Sequence, residues 1–367
     1  MQNLPEPAPP AHDRRGFLKA SAGLALAAAL SPPALAGLVQ PDARGPSARL
    51  PGFSMQRGLA LSISNNTGGN SLMLPAGDRV LVVDAKFSYV ADALRADAVS
   101  TLPEGERADA GVVLVNTHHH ADHTAGNVAF VGRGESYAHA NAIERISDSH
   151  ANYVRSPLGG PGQVRRVMPD RVDLFEAAAE IASRARTLEP EAWVPTSAVD
   201  EQKTLVLGMQ SVELVHFGPG HTDNDLVVRI PAANVLHTGD LVFRGFHPFC
   251  APQGGVSPTK WIKVLKKVRA LCDNDTLVVP GHGEPGEPAI IDEQRAYFEQ
   301  LFEVVGAEID KGTPRGEIRQ MSWPFMEGLG FEQIRSRAIE AVHDEIKPPA
   351  QPSLDDLPEG ARRPEGD

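Results

Sequence analysis

Short apolar runs broken by Gly, Asp and Pro recur along the middle of the chain. Residues 59–63, 72–74, 80–83, 112–115, 205–207, 212–215, 226–230 and 277–279 are rich in Val, Leu and Ile. Runs of this length, bounded by turn residues, predict strands. Between them lie longer segments with apolar residues at helical spacing, notably 89–99, 171–184, 259–271, 291–309 and 331–346. Several of these follow a Ser, Thr or Asp able to cap free backbone N–H groups, so they predict helices. Strands alternating with helices imply an α/β layered fold. No internal repeat is visible, and residues 156–196 read as an inserted block of helices and loops over one face.

The two ends follow other rules. The pair Arg14-Arg15 precedes an Ala/Leu-rich stretch reaching to about Leu30, after which Ala34-Leu35-Ala36 supplies a small-x-small site. This resembles a twin-arginine export signal, although Asp13 stands where Ser or Thr is usual. The resemblance implies a signal peptide over 1–36 and cleavage near Ala36. It also implies the twin-arginine export machinery as a partner, a periplasmic or secreted location, and no stable membrane insertion after cleavage. Residues 37–52 are Pro/Gly/Ala-rich and read as a linker, and 347–367 combine prolines with charges as a flexible tail does. One large domain over 53–346 remains.

Composition narrows the function classes. With 41% hydrophobic and 22% charged residues the chain has the balance of a soluble protein able to bury a core. Its net charge of -12, with no long Lys/Arg block beyond the N-terminus, lacks the footprint of a phosphate backbone, so no nucleic-acid partner is expected. The only cysteines, Cys250 and Cys272, have neither zinc-knuckle spacing nor disulfide-scaffold density. Two free thiols or one bridge would both fit.

Histidine carries the chemistry. Four of the 13 histidines fall within positions 118–123, in the segment His118-His119-His120-Ala121-Asp122-His123. An apolar strand pattern precedes it and Thr124-Ala125-Gly126-Asn127 can open a helix, so the cluster sits on a strand-to-helix turn, where α/β folds place reactive groups. Residues two apart at a strand end project the same way, so His118 and His120 can bind one ion while Asp122 and His123 reach a neighbouring one. His119 is then the histidine that points elsewhere. His237, before a Thr-Gly-Asp turn, reads as a strand residue. His139, His150, His216 and His247 have no matching partner spacing.

His118-x-His120-x-Asp122-His123 resembles the H-x-H-x-D-H signature of the metallo-β-lactamase superfamily. Three further elements follow in the family's order: Gly218-Pro219-Gly220-His221, Thr238-Gly239-Asp240 and Pro280-Gly281-His282-Gly283. Gly69-Asn70-Ser71 and Val82-Val83-Asp84 resemble the fold's opening strands, so the similarity spans roughly residues 60–300. The resemblance implies an αββα four-layer sandwich and a binuclear site for two Zn2+ ions. One ion would sit on His118, His120 and His221, the other on Asp122, His123 and His282, with Asp240 bridging. Imidazole and carboxylate ligands suit zinc, and three ligands per ion leave a position for water.

The activity implied is a zinc-dependent hydrolase of a small-molecule substrate. Metal-bound hydroxide would open or cleave an ester, lactone, lactam or related acyl bond. Asp122 would be catalytic, orienting the hydroxide and passing its proton to the leaving group. No Gly-x-Ser-x-Gly nucleophile elbow is present. Asp240 stands where class B β-lactamases of the superfamily carry other residues, whereas lactonase-like and glyoxalase-II-like hydrolases carry Asp. Four other readings belong beside this one: a β-lactamase proper, a mononuclear iron oxygenase, a phosphodiesterase, and an exported accessory protein without activity. Phe243, Phe246, His247 and Phe249, with Trp193 of the inserted block, are candidates for an apolar substrate pocket.

Overall fold

The structure is a computed structural model that describes residues 50, 52–64, 67–155, 160–184 and 187–349. The signal-like segment, almost all of the linker, and the tail beyond residue 349 lie outside the described residues.

The first sheet contains, in spatial and chain order, β1 (Phe53–Gln56), β2 (Leu59–Ser62), β3 (Ser71–Ala76), β4 (Arg79–Val83), β5 (Gly111–Val115), β6 (Ser136–His139) and β7 (Ser197–Val199). It is antiparallel as far as β4 and parallel from β4 to β7. The second sheet contains β8 (Gln202–Leu207), β9 (Gln210–Val215), β10 (Val227–Ile230), β11 (Val235–Phe243) and β12 (Leu277–His282), in spatial order β12-β11-β10-β9-β8. Only its β11-β12 pair is parallel.

The apolar runs of β2 to β5, β11 and β12 are buried on both faces, which explains why they lack clean polar alternation, whereas β8 and β9 at the edge of the second sheet alternate buried with more exposed positions. Leu81, Val83, Val113 and Val115 face the other sheet and meet Val212, Leu214, Val228 and Val279 in a core between the sheets. Their neighbours Val80, Val82, Val112 and Leu114 point outward beneath helices. Those covering the first sheet include α1 (Ala91–Ser100), the short α2 (Ala121–Thr124), α3 (Ala140–Arg155), α4 (Pro161–Val167) and α5 (Val172–Arg184). The second sheet is covered by α6 (Pro258–Arg269) and α7 (Ala289–Asp310), joined by α8 (Arg315–Ile318) and α9 (Arg335–Ile346). Two sheets between helical layers make the αββα sandwich that the sequence implies.

Helix α6 illustrates the local logic. Ser257 caps it by accepting from the Lys260 N–H, Pro258 occupies its first turn, and Lys266, Lys267 and Arg269 sit at its negative end. Trp261, Val264, Leu265 and Val268 form its buried stripe. Among the described residues no helix is long and apolar enough to cross a membrane. Cys250 and Cys272 are both free thiols.

Several boundaries differ from the sequence reading. Strand β12 runs on to include His282 itself, and Asp240 lies within β11 rather than on a turn. The pairing of β11 with β12 breaks register between His237 and Gly239 and again before Phe243, and these irregularities re-aim Asp240. Phe331 adopts a left-handed backbone (φ 60°, ψ 34°) that ends the helical pattern there, so α9 begins only at Arg335. Helix α3 and strands β6 and β7 escape the pattern because their apolar runs are short and interrupted by polar residues.

Candidate metal centre

The ligand-bearing loops gather at one edge of the sandwich, beyond the ends of β5, β11 and β12. After Val115 the chain runs through Asn116 and Thr117 into His118, and α2 then presents Asp122 and His123. The second sheet brings His221 from the β9–β10 loop, Asp240 from the irregular part of β11, and His282 from the last position of β12. A loop before β3 staples the two halves. The Gly69 N–H donates to the Asp122 carbonyl at 2.8 Å and the Asn70 N–H to the Gly281 carbonyl at 2.8 Å. The Asn70 side-chain amide donates to the carbonyls of Pro280 (2.9 Å) and Gly283 (2.7 Å). Glycine is required where the strands come this close. A Cβ on Gly69 would stand 2.1 Å from the His123 ring, and one on Gly281 only 1.9 Å from Asp240 Oδ1.

All seven candidate ligands converge in two adjacent groups: His118, His120, His221 and Asp240, and then Asp122, His123 and His282. In the first group His120 Nδ1 lies 3.0 Å from His118 Nε2 and 2.9 Å from His221 Nε2, while Asp240 Oδ2 is 3.8 and 3.5 Å from those two Nε2 atoms. In the second, Asp122 Oδ2 is 3.6 Å from His123 Nε2 and 3.2 Å from His282 Nε2. Asp240 Oδ1 is 3.1 Å from His123 Nε2 and 3.4 Å from His282 Nε2, so its two oxygens face different groups. Ligands about 2.0–2.1 Å from a tetrahedral zinc are separated by roughly 3.3 Å, close to these spacings. His123 Nε2 and Asp240 Oδ1 are also buried without an aligned hydrogen-bond partner, which a cation between them would remedy. The donor set and its orphaned atoms therefore fit divalent metal.

Electrostatics divides the two groups. Burial, followed by the neighbouring imidazoles, holds His118 and His120 well below the usual histidine range, and burial lowers His221 to about 4. His123 and His282 are buried as deeply, yet nearby carboxylates win. Asp240, Asp122 and Asp84 raise His123 well above the ordinary value, and Asp240 with Asp122 raises His282 to about 9. Those two cations in turn keep Asp240 ionised against its own burial. A cation bound in the second group would therefore compete with protons for His123 and His282.

Groups to which the sequence reading gave no role at the site, Asp84 among them, hold the ligands in place. Asp84, at the end of β4 with φ 61°, accepts from His123 Nδ1 at 2.7 Å and from the Thr117 N–H and Oγ1 at 2.8 Å each. Thr117 Oγ1 lies in turn 3.0 Å from His118 Nδ1, so a single carboxylate orients two ligand rings. Lys86, also left-handed at φ 58° and fully buried, donates to the Gly69 carbonyl at 2.6 Å. Burial lowers its pKa to about 7 despite the charges of Asp84 and Asp122. The available signal was a pair of charged residues, Asp84 and Lys86, inside an otherwise apolar run from Val80 to Phe87.

The remaining candidates separate cleanly. His119 turns away to the Asn224 carboxamide, which in turn contacts Asp223, itself paired with Arg145. His237 is buried in β11, with Nδ1 accepting from the Gly239 N–H at 3.1 Å and Nε2 directed at the Asn70 carbonyl at 3.3 Å. Phe243 and Phe249 do line a cavity over the ligands. Trp193 does not: it is fully buried in a separate cluster and donates to the Ala125 carbonyl. His247 is buried against Tyr297, and Phe246 backs the cavity without lining it.

The sequence matches the family described as "Metallo-beta-lactamase superfamily" over residues 65–282, a span that covers more than half of the chain and all seven candidate ligands. A curated relative, "Metallo-beta-lactamase type 2" of Bacteroides fragilis, is 27% identical over 110 residues, covering 30% of this chain and 44% of the relative. The protein of the same name from Bacillus cereus is 29% identical over 97 residues, covering 26% and 38%. The chain thus matches less than half the length of these relatives. Among solved structures, TMB-1 aligns at 20% identity with a TM-score of 0.46, covering 68% of this chain and 99% of its own. DIM-1 metallo-beta-lactamase aligns at 18% with a TM-score of 0.47, covering 69% and 99%. With the family match spanning every ligand-bearing loop, the chain belongs to the metallo-beta-lactamase superfamily.

Proposed function

We propose that this protein is an exported hydrolase that holds two zinc ions and cleaves an ester, lactone or related acyl bond in a small molecule. The observation that carries the reading is the convergence of seven ligands in two adjacent groups, with one Asp240 oxygen facing each. His118, His120 and His221 would hold one ion, Asp122, His123 and His282 the other, and Asp240 would bridge them. Bound there, zinc would acidify water near neutral pH and polarise the substrate carbonyl.

The chain's own residues supply the rest. Asp122, nearly enclosed and facing His282, is positioned to take a proton during attack and return it to the leaving group. Asp84 fixes the ring orientations on which the ligand set depends. Phe243 and Phe249 exclude water from one side of the centre. A complete second ligand set favours two-metal hydrolysis over a mononuclear iron oxygenase. The acidic chain disfavours a nucleic-acid substrate. Export rests on the segment around Arg14-Arg15.

The test is elemental analysis of mature protein followed by assay against lactones, esters, β-lactams, thioesters and phosphodiesters. Two zinc ions per chain and turnover of an acyl substrate are expected. One iron per chain with no hydrolysis would overturn the reading. Turnover confined to β-lactams would move the protein to the activity named for its relatives.

A further inference from the structure

The cavity over the ligands has an apolar side that the family match does not include. Phe243 and Phe249 come from β11 and the loop after it, but Phe331 and Ile334 come from the segment leading into α9, well beyond residue 282. These two side chains are 2% and 1% exposed, and Asp122, Asp240 and His282 beneath the cavity are each 4% exposed, so the centre is almost closed. The Phe331 ring meets the His282 ring edge-on at 5.5 Å, while Phe243 stacks on the same imidazole at 5.2 Å. His282 is therefore gripped between two aromatic rings.

Phe331 is held in this place at a cost. Its left-handed backbone is disfavoured for a bulky side chain and persists only where the surroundings enforce it. The enforcement is visible on both sides. The Gly330 N–H donates to the Gly245 carbonyl at 2.8 Å, and the His247 N–H donates to the Gly330 carbonyl at 2.9 Å. Glu332 pairs with His247 Nε2 at 3.1 Å, and His247 Nδ1 lies 3.0 Å from the Tyr297 hydroxyl. The ring itself rests on Phe246 at 4.5 Å. One turn further on, Arg337 lies over the ring of Phe249 at 5.3 Å, so the same segment backs two walls of the cavity.

We propose that Phe331, with Ile334, is the specificity-determining wall of the site, restricting it to acyl compounds whose group beside His282 is short and apolar. The wall rests on the hydrolase reading above for its substrates, but not for its effect on what fits. A rigid aromatic roof clamped on both flanks excludes long or bicyclic groups by volume, and an apolar pocket discriminates single methylenes by about 10–200-fold.

The test uses zinc-loaded full-length protein and the variants Phe331→Ala and Ile334→Ala, with metal content measured for each. The rates to compare are those for γ-butyrolactone and γ-decanolactone. Phe331→Ala should raise the long-to-short ratio of kcat/KM by about tenfold, mainly through KM, with metal content unchanged. Affinities for 2-mercaptoethanol and 2-naphthalenethiol, measured by calorimetry, should shift in the same direction without any turnover. If Phe331→Ala does not fold, Phe331→Gly removes the ring while accepting the left-handed backbone, and the same shifts are expected. Unchanged ratios in both assays, with metal retained, would overturn the proposal. Thiol selectivity that shifts while every acyl substrate is refused would leave the wall standing and overturn the hydrolase reading instead.

Discussion

The ligand-bearing loops and the roof above them are held by opposite means. Around the ligands, polar contacts dominate: Asp84 fixes two rings, Asn70 ties one sheet's loop to the other, and Asp240 shares its oxygens between both groups. The roof is a set of packed rings, Phe243, Phe246 and Phe331, secured at its margins by Gly330 and the His247–Glu332 pair. Directional bonds orient the ligand side chains, whereas the packed rings set the volume above them and meet the ligand set at His282.

The largest test of that division is Asp122→Ala. With the roof intact, kcat/KM should fall by about 10³-fold, the scale of a lost proton-transfer group in concert with a weakened metal site. Steady-state kinetics on folded protein checks this, and retained activity would remove Asp122 from its assigned role.

Next in size is the buried His237. Burial lowers its pKa from 6.5 to about 4, and protonation at Nδ1 would aim an N–H at that of Gly239. The folded state therefore binds fewer protons than the unfolded state between these values. The stability it contributes is present above pH 6.5 and lost as the pH falls toward 4, by on the order of 3 kcal/mol. Urea unfolding of metal-free protein across that range should be steeper in pH for the parent than for His237→Asn. Parallel profiles would show that His237 is not held neutral.

Asp84→Ala sharpens the polar half. Loss of the acceptor behind His123 and Thr117 should weaken metal binding by about 10–100-fold while the thiol size preference persists. Competition with a chromophoric chelator measures the first effect. The smallest expected effect belongs to the roof. A Cβ at Gly330 would stand 2.3 Å from the Phe246 ring, so Gly330→Ala should destabilise by on the order of 1 kcal/mol and loosen size selection. Metal content should not change, and a loss of zinc would show that roof and centre are coupled after all.

The sequence by itself determined the α/β layering, because strands buried on both faces must be continuously apolar, and it marked His118, His120, Asp122 and His123 as a candidate metal cluster, because histidines packed so densely at a strand end have few other uses; His221, Asp240 and His282 joined them only through the family resemblance. The same reasoning turned His119 aside. Only the tertiary structure decided what supports and encloses that set. Asp84 lies 39 residues from His123 and Asn70 210 from Pro280, so no local pattern marks either contact. Trp193, read as a pocket residue, lies in a separate core because aromatic composition does not say which face a ring will meet. Phe331 read as the start of a helix. Its backbone conformation and its place above His282 follow from contacts with residues 245–247, and long-range contacts of that kind leave no periodic trace in the sequence.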